Sequence, residues 1–210
     1  TYARFRFSSV GGLTPEGPAR DGEVEDYAVF VQDVDTTQGS DWGDAPDRHS
    51  AGFFYPTLAI HDGAVHQIDG VTHLGSYVDV DVDGQPSPAA HGDDVFDALD
   101  DEDGVTFVTP FVPGGMATVH VDASVDGYLN TWVDFNRNGN WEPGEQVFVG
   151  EPLNAGLNVK TFAVPTTAVS GATFSRWRFT RDKLVLTPDA TGTTDGILHN
   201  GEVEDYKNKI

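Results

Sequence analysis

The 210-residue chain contains no cysteine and a single methionine. Disulfides and thiolate metal sites are therefore excluded. Basic residues are scarce as well: 12 Lys and Arg stand against 34 Asp and Glu, a formal charge of −22. So acidic a surface repels polyanions, which excludes nucleic acid and anionic membranes as partners. No apolar run approaches the length of a bilayer span, so no membrane insertion is expected. Helical periodicity is missing too, with Phe96 to Leu99 offering at most one turn. The chain has no H-E-x-x-H, G-x-S-x-G, P-loop or G-x-G-x-x-G pattern. Acidic pairs for glycoside hydrolysis are so abundant that none stands out. The expectation is a protein that is not an enzyme. No leader-like segment precedes Thr1, which falls inside a strand-like run, so a piece of a longer protein is expected.

What is present points to β-structure. Aromatics reach 11%, with 24 Gly and 12 Pro, a composition of short strands joined by turns rather than of a disordered acidic chain. A charge of −22 opposes compaction by self-repulsion unless cations neutralise part of it. Bound calcium and a salt-adapted surface both fit that imbalance.

The most specific stretch is Asp134 to Glu145, DFNRNGNWEPGE. It matches the calcium-loop pattern D-x-[DN]-x-[DN]-G-x5-E at every constrained position. Calcium takes six to eight oxygens, which such a loop supplies from positions 1, 3, 5, 7, 9 and 12. Here those are Asp134, Asn136, Asn138, the Asn140 carbonyl, Glu142 and Glu145, with Gly139 at the sharp turn. The flanks, Tyr128–Phe135 and Gln146–Gly150, are aromatic or β-branched, so a loop between two strands is expected rather than a helix–loop–helix hand.

The chain also repeats itself. Thr173–Phe179 (TFSRWRF) echoes Thr1–Phe7 (TYARFRF), and Gly201–Tyr206 repeats Gly22–Tyr27 (GEVEDY) letter for letter. Residues 1–33 therefore read as the closing strands of one repeat unit, and residues 34–210 as a complete second unit. Thr1–Phe7 alternates as a half-buried strand should, and a further strand-like run follows over Ala28–Gln32. Two strands are too few for a sandwich. The first 33 residues are expected to pack on the full unit or to complete a neighbouring molecule by strand addition.

Within the full unit, residues 34–103 are acidic and rich in loops, with Phe53–Ile60 and Val71–Val80 as the best strand candidates. From Gly104 the pattern turns regular. Strands are expected over Val105–Thr109, Ala117–Asp122, Tyr128–Phe135, Gln146–Val149, Asn158–Val164, Thr173–Thr180 and Glu202–Lys209. Seven short strands at this spacing predict an all-β, antiparallel β-sandwich, Ig-like or jelly-roll-like, over residues 104–210.

Further carboxylate groups are candidate calcium ligands. Asp79, Asp81, Asp83 and Gly84 open a second loop at positions 1, 3, 5 and 6, with Ser87 at position 9. Its twelfth position is Ala90, so Asp93 or Asp94 would have to close it. Asp100, Asp101 and Asp103, and Asp41 and Asp44, add oxygens that could equally sit in solvated turns. Alternation turns Glu202 and Glu204 to one face and Val203 inward. That face could close a metal site or pair with Arg176 and Arg178. The seven histidines form no ligand spacing. Trp132 and Trp177 are expected in the core, and Trp42 and Trp141 are the candidates for an exposed sugar-stacking platform.

Taken in order, DWGDAPD (41–47), LGSYVD (74–79), DGQPS (83–87), GDD (92–94), DDEDGV (100–105), WVDFN (132–136), GE (144–145) and GEVEDY (201–206) resemble the GEVED domain family, a repeat of large secreted and surface proteins of bacteria. The resemblance covers residues 37–210 as a whole unit and 1–33 as the end of another. It implies a secreted, extracellular β-sandwich module that binds calcium, has no established enzymatic activity and serves a multidomain adhesin or matrix-like protein. Implied partners are neighbouring repeat units and glycans or other cell-surface and matrix components. The structural and adhesive reading is the first. A calcium-dependent carbohydrate-binding module is the alternative. One departure is the ending Lys207–Ile210 (KNKI) against the apolar AVFV after the first GEVEDY, which suggests a weaker last strand or the edge of an array.

Overall fold

The computed structural model describes residues 2–28, 39–47, 55–92, 101–190 and 198–210. The chain divides into two compact units, Thr1–Val34 and Asp35–Ile210.

The first unit is an antiparallel hairpin of β1 (Tyr2–Phe7) and β2 (Glu23–Ala28). The strand expected over Ala28–Gln32 lies, beyond Ala28, outside the described residues. Nor is β1 half-buried as its alternation suggested. Phe5 and Phe7 are 61% and 72% exposed, and among the described residues the unit holds a single two-stranded layer.

The second unit is nearly all β, with no α-helix among the described residues. Two antiparallel sheets face each other as a sandwich. One has four strands in the order β11 (Glu202–Lys209), β10 (Ala172–Thr180), β7 (Gly127–Val133) and β8 (Gln146–Leu153). The other has three, β5 (Val105–Phe107), β6 (Met116–Ala123) and β9 (Gly156–Ala163). All seven expected strands are present, with ends displaced by a few residues.

Period-two patterning builds the core between the sheets. Along β6, Ala117, Val119 and Val121 are fully buried while Met116 is exposed. They meet Leu129, Phe148, Phe162, Trp177 and Phe179 from the other strands. Each fully buried side chain of this size contributes about 1.5–3 kcal/mol.

The four-stranded sheet is buried on its other face as well. Eight of the nine residues of β10 are buried. Phe174 and Trp132 point away from the sandwich and join Tyr55, Trp141, Leu186 and Leu198 in a second core. Loops of the acidic segment therefore form a third layer, pinned by the short pair β3 (Ser40–Trp42) and β4 (Val65–Gln67). This pair was not expected. The expected strands lay elsewhere, and neither forms in its described part. In Phe53–Ile60 the chain bridges once at Tyr55 and enters a 3-10 turn at Ala59, and in Val71–Val80 it bends with a single bridge at Leu74. Apart from the contact of Leu74 and Gly75 with β6, the hydrogen bonds seen for these stretches run to side chains and loops, so apolar character alone misled.

A buried asparagine sets the irregularity in β7. Register shifts flank Thr131 in the β7–β8 pairing, and Asn130 fills the gap. Its Oδ1 accepts the Gly150 N–H at 3.0 Å and its Nδ2 donates to the Leu184 carbonyl at 3.1 Å. Strand β11 pairs with β10 through Lys209 and lies at the edge of its sheet. Charged residues suit an edge strand, since they discourage pairing with another chain.

Candidate metal centre

Loop 134–145 leaves β7 at Asp134 and re-enters β8 through a 3-10 turn, Pro143–Glu145. Its first and last carboxylates are buried, and Asn136, Asn138, Asn140 and Glu142 between them are exposed. Asp134 Oδ1 accepts the Asn138 N–H at 3.1 Å, and Oδ2 accepts the Gly139 N–H at 2.9 Å and the Tyr55 hydroxyl at 2.6 Å. Glu145 accepts the N–H groups of Asn136 and Glu142, both at 3.1 Å. Burial raises the Glu145 carboxyl above its usual range, helped by the charges of Asp134 and Glu142. Above this base, the Asn136 and Asn138 amides both reach the Glu142 carboxylate, at 3.2 and 3.1 Å. Ligand positions 3, 5 and 9 thus meet at one place. Turning either amide over would present Oδ1 there instead of Nδ2, so the residues fit a hard cation. Arg137 takes a left-handed φ of 58° and Gly139 one of 82°. Arg137 is held in that conformation by bonds to the Ala172 and Ser170 carbonyls.

The Asp79 loop inverts the usual burial pattern. Asp79 and Asp81 are buried, whereas Val80 and Val82 are 51% and 98% exposed. The carboxylates of Asp79 and Asp81 thus lie on the buried side of the chain without a regular strand. Asp81 accepts the Trp42 N–H and the Gln85 amide, and Asp83 accepts the Ala59 N–H. Ser87 caps its own turn through Ala89 and His91. Asp93, Asp94 and Asp100 lie outside the described residues. Asp101 approaches this loop, accepting the Asp79 N–H at 3.2 Å.

Asp41 and Asp44 are buried too, each braced by backbone N–H groups. Asp41 binds the Val203 N–H, and Asp44 binds those of Gln85 and Gly92. Among the described residues, no group of three or more acidic or histidine side chains is placed to hold a metal ion by itself. Calcium shells are commonly completed by carbonyls and water.

Strand β11 explains its own sequence residue by residue. Gly201 has φ 106°, and a Cβ there would lie 2.0 Å from the Phe179 carbonyl oxygen. Gly22 repeats both features, with φ 100° and the Phe7 oxygen 1.7 Å away. Val203 and Asp205 share the outer face with Arg176 and Arg178, while Glu202, Glu204 and Tyr206 face the sandwich side beside Phe179 and Trp177. The possible pairing of Arg176 and Arg178 with the two glutamates is thereby overturned, because the register puts them on opposite faces. Arg176 instead grips Asp205 with two bonds of 2.8 and 2.6 Å. Arg178 donates to His66 Nε2 at 3.1 Å and to the Thr187 and Asp189 carbonyls. Burial, then the neighbouring Arg176, lowers the Arg178 pKa to about 9, still protonated at neutral pH.

Both glutamates are 1% exposed. Glu202 Oε2 accepts the Leu74 N–H, and Glu204 Oε1 accepts the Gly104 N–H at 2.8 Å. Glu202 Oε1 and Glu204 Oε2 have no hydrogen-bond partner among the described residues. Burial pushes both carboxyls well above their ordinary range. For Glu202 the charges of Glu204 and Asp41 add to this, and for Glu204 those of Asp101 and Asp103.

Trp132 and Trp177 are core residues as expected. Trp141 is not exposed. Its ring lies 4.3 Å from that of Tyr55 and beneath the Arg176 guanidinium, and its Nε1 donates to the Phe174 carbonyl. Trp42 is half-buried. Sequence reasoning missed Asp205, Tyr55, His66 and Asn130, whose partners lie far away in the chain. The Arg-x-Arg strands preceding both GEVEDY copies were the one available signal for Asp205.

A β-sandwich lined with backbone-braced carboxylates, its edge strand carrying the GEVEDY signature, defines an acidic all-β module. The model of the GEVED domain family matches residues 128–208, the segment that forms the four-stranded sheet. No curated protein and no solved structure matches the chain.

Proposed function

We propose that this chain is a calcium-binding, non-catalytic structural or adhesive module of an extracellular protein, with calcium rigidifying its acidic loops and unit junctions. The observation that carries this reading is an imbalance inside the second unit. Among the described residues, twelve buried Asp and Glu face two buried arginines, Arg176 and Arg178. An isolated ionised carboxylate costs several kcal/mol to bury, and a bound cation would offset part of that cost for such a set. A cation that joins the loops only in the folded chain adds its binding free energy to stability. The gain is about 4 kcal/mol at a concentration a thousandfold above its dissociation constant. Weak sites suffice outside cells, where extracellular modules bind calcium at about 10⁻⁴–10⁻³ M. Resemblance to a family of secreted and surface repeats supports the same compartment.

The alternative, a calcium-dependent carbohydrate-binding module, loses one of its two candidate platform residues with the burial of Trp141.

The test is a set of thermal melts in calcium, magnesium and EDTA on wild type and on Asp134→Ala/Glu145→Ala. The expected result is a calcium-specific rise in Tm that the double variant loses in part. Identical melts in all three conditions would overturn the reading.

A further inference from the structure

We propose that Glu202 and Glu204 form a divalent-cation site of the calcium class, separate from loop 134–145, that rivets the chain at Leu74 and at Gly104 onto edge strand β11. The inference rests on the calcium-binding reading above and names a place for one ion.

The argument begins with strand geometry. Residues two apart on a strand project to the same face, roughly 7 Å apart along the chain. Glu202 and Glu204 therefore stand side by side, facing Phe179 and Trp177 across the register. In each carboxylate one oxygen is already used: Glu202 Oε2 by the Leu74 N–H, and Glu204 Oε1 by the Gly104 N–H. The other oxygen of each is buried without a hydrogen-bond partner among the described residues. The two braces come from separate segments, so the unpartnered oxygens sit where three stretches of chain meet.

Packing keeps this junction tight. A Cβ on Gly104 would lie 2.8 Å from Glu204 Oε1 and 2.3 Å from the Leu74 Cβ. One on Gly75 would lie 1.6 Å from Asp103 Oδ1. The charges felt at the glutamates are negative, from Asp41, Asp101 and Asp103. Arg176 and Arg178 project from the opposite face of the sheet, and Arg176 is taken by Asp205. A cation bound by Glu202 Oε1 and Glu204 Oε2 satisfies both oxygens at once. Calcium suits the place better than magnesium, because it accepts an irregular shell completed by carbonyls and water.

The competing account of two bare buried oxygens is a pair of protonated acids, and the experiment separates the two. Calcium stoichiometry is measured by isothermal titration calorimetry at neutral pH on the whole chain. The proteins are wild type, Glu202→Gln/Glu204→Gln and Asp134→Ala/Glu145→Ala, with near-UV circular dichroism confirming the fold of each. Glutamine keeps an oxygen for the Leu74 and Gly104 N–H groups, so the fold should persist. The expected result is that the glutamine variant binds one calcium fewer than wild type and keeps the sites the loop variant lacks. If the glutamine variant fails to fold, each single glutamine variant is titrated, and at least a tenfold weakening of one site is expected. Unchanged stoichiometry and affinity would overturn this site while leaving the calcium reading intact. A wild type that binds no calcium would overturn both.

Discussion

Arg176 and Asp205 face each other across strands β10 and β11 and form a doubly hydrogen-bonded ion pair from which solvent is fully excluded. Arg4 and Asp26 make the same pair in the first copy, with two bonds of 2.6 Å, but there both side chains are about half exposed. The Arg4 guanidinium holds the Asp26 carboxyl below its usual range. One hairpin sequence thus appears in two solvents, and the consequences of breaking the pair should differ. Removing one partner of a buried pair strands the other charge, which costs about 3–5 kcal/mol. Arg176→Ala or Asp205→Ala should lower the urea midpoint of the second unit accordingly, whereas Arg4→Ala should leave it nearly unchanged.

Gly201 tests the backbone half of the motif. With φ at 106°, and with the Phe179 oxygen and His66 Nδ1 2.0 and 2.6 Å from a would-be Cβ, no side chain fits without movement. Strain of this kind costs about 1–3 kcal/mol. Gly201→Ala should therefore destabilise by at least that amount in denaturant titration. Gly144→Ala, where a Cβ would meet nothing within 4 Å, is the control and should be close to neutral.

His66 predicts a pH dependence. Its Nε2 accepts from Arg178 Nε–H, so Nδ1 carries the proton and donates to the Asn200 carbonyl at 2.9 Å. Burial, together with the charges of Arg178 and Arg176, lowers its pKa well below the usual value, while the Asn200 carbonyl opposes this in part. Asp41 sits opposite on β3. A depressed folded pKa means stability that is complete above about pH 6.5 and is lost as pH falls below it, by up to about 1.4 kcal/mol per unit. Melts in saturating calcium between pH 7.5 and 5.5 should show this loss. His66→Gln should flatten the slope, and an equal slope in both proteins would exclude His66 as its source.

Trp141 should report on its own loop. It lies between Tyr55 and Arg176, and Tyr55 donates to the first loop carboxylate, Asp134. Calcium engaging Asp134 would disturb that contact. Titrating calcium should then produce a saturable change in tryptophan fluorescence that Trp141→Phe abolishes and Asp134→Ala shifts to higher calcium. A change that survives Trp141→Phe would place its origin elsewhere.

Local features were legible in the chain itself. The seven strands follow from period-two alternation, the position of loop 134–145 from its oxygen spacing, and the repeat from letter identity. Each depends on residues within a few positions of one another, where backbone geometry leaves few choices. Contacts between distant segments were decided only by the tertiary structure. Alternation put Glu202 and Glu204 on one face without revealing that both faces of that sheet are covered. Trp141 was free to be a surface residue until Tyr55, 86 positions earlier, packed against it. Asp205, rather than its glutamate neighbours, pairs with Arg176 because the register of β10 and β11 places them opposite. The braces on Glu202 and Glu204 come from Leu74 and Gly104, 128 and 100 residues away. Chain pattern determines which groups share a face. Which face is dry, and what meets it there, depends on layers assembled from segments that sequence proximity does not connect.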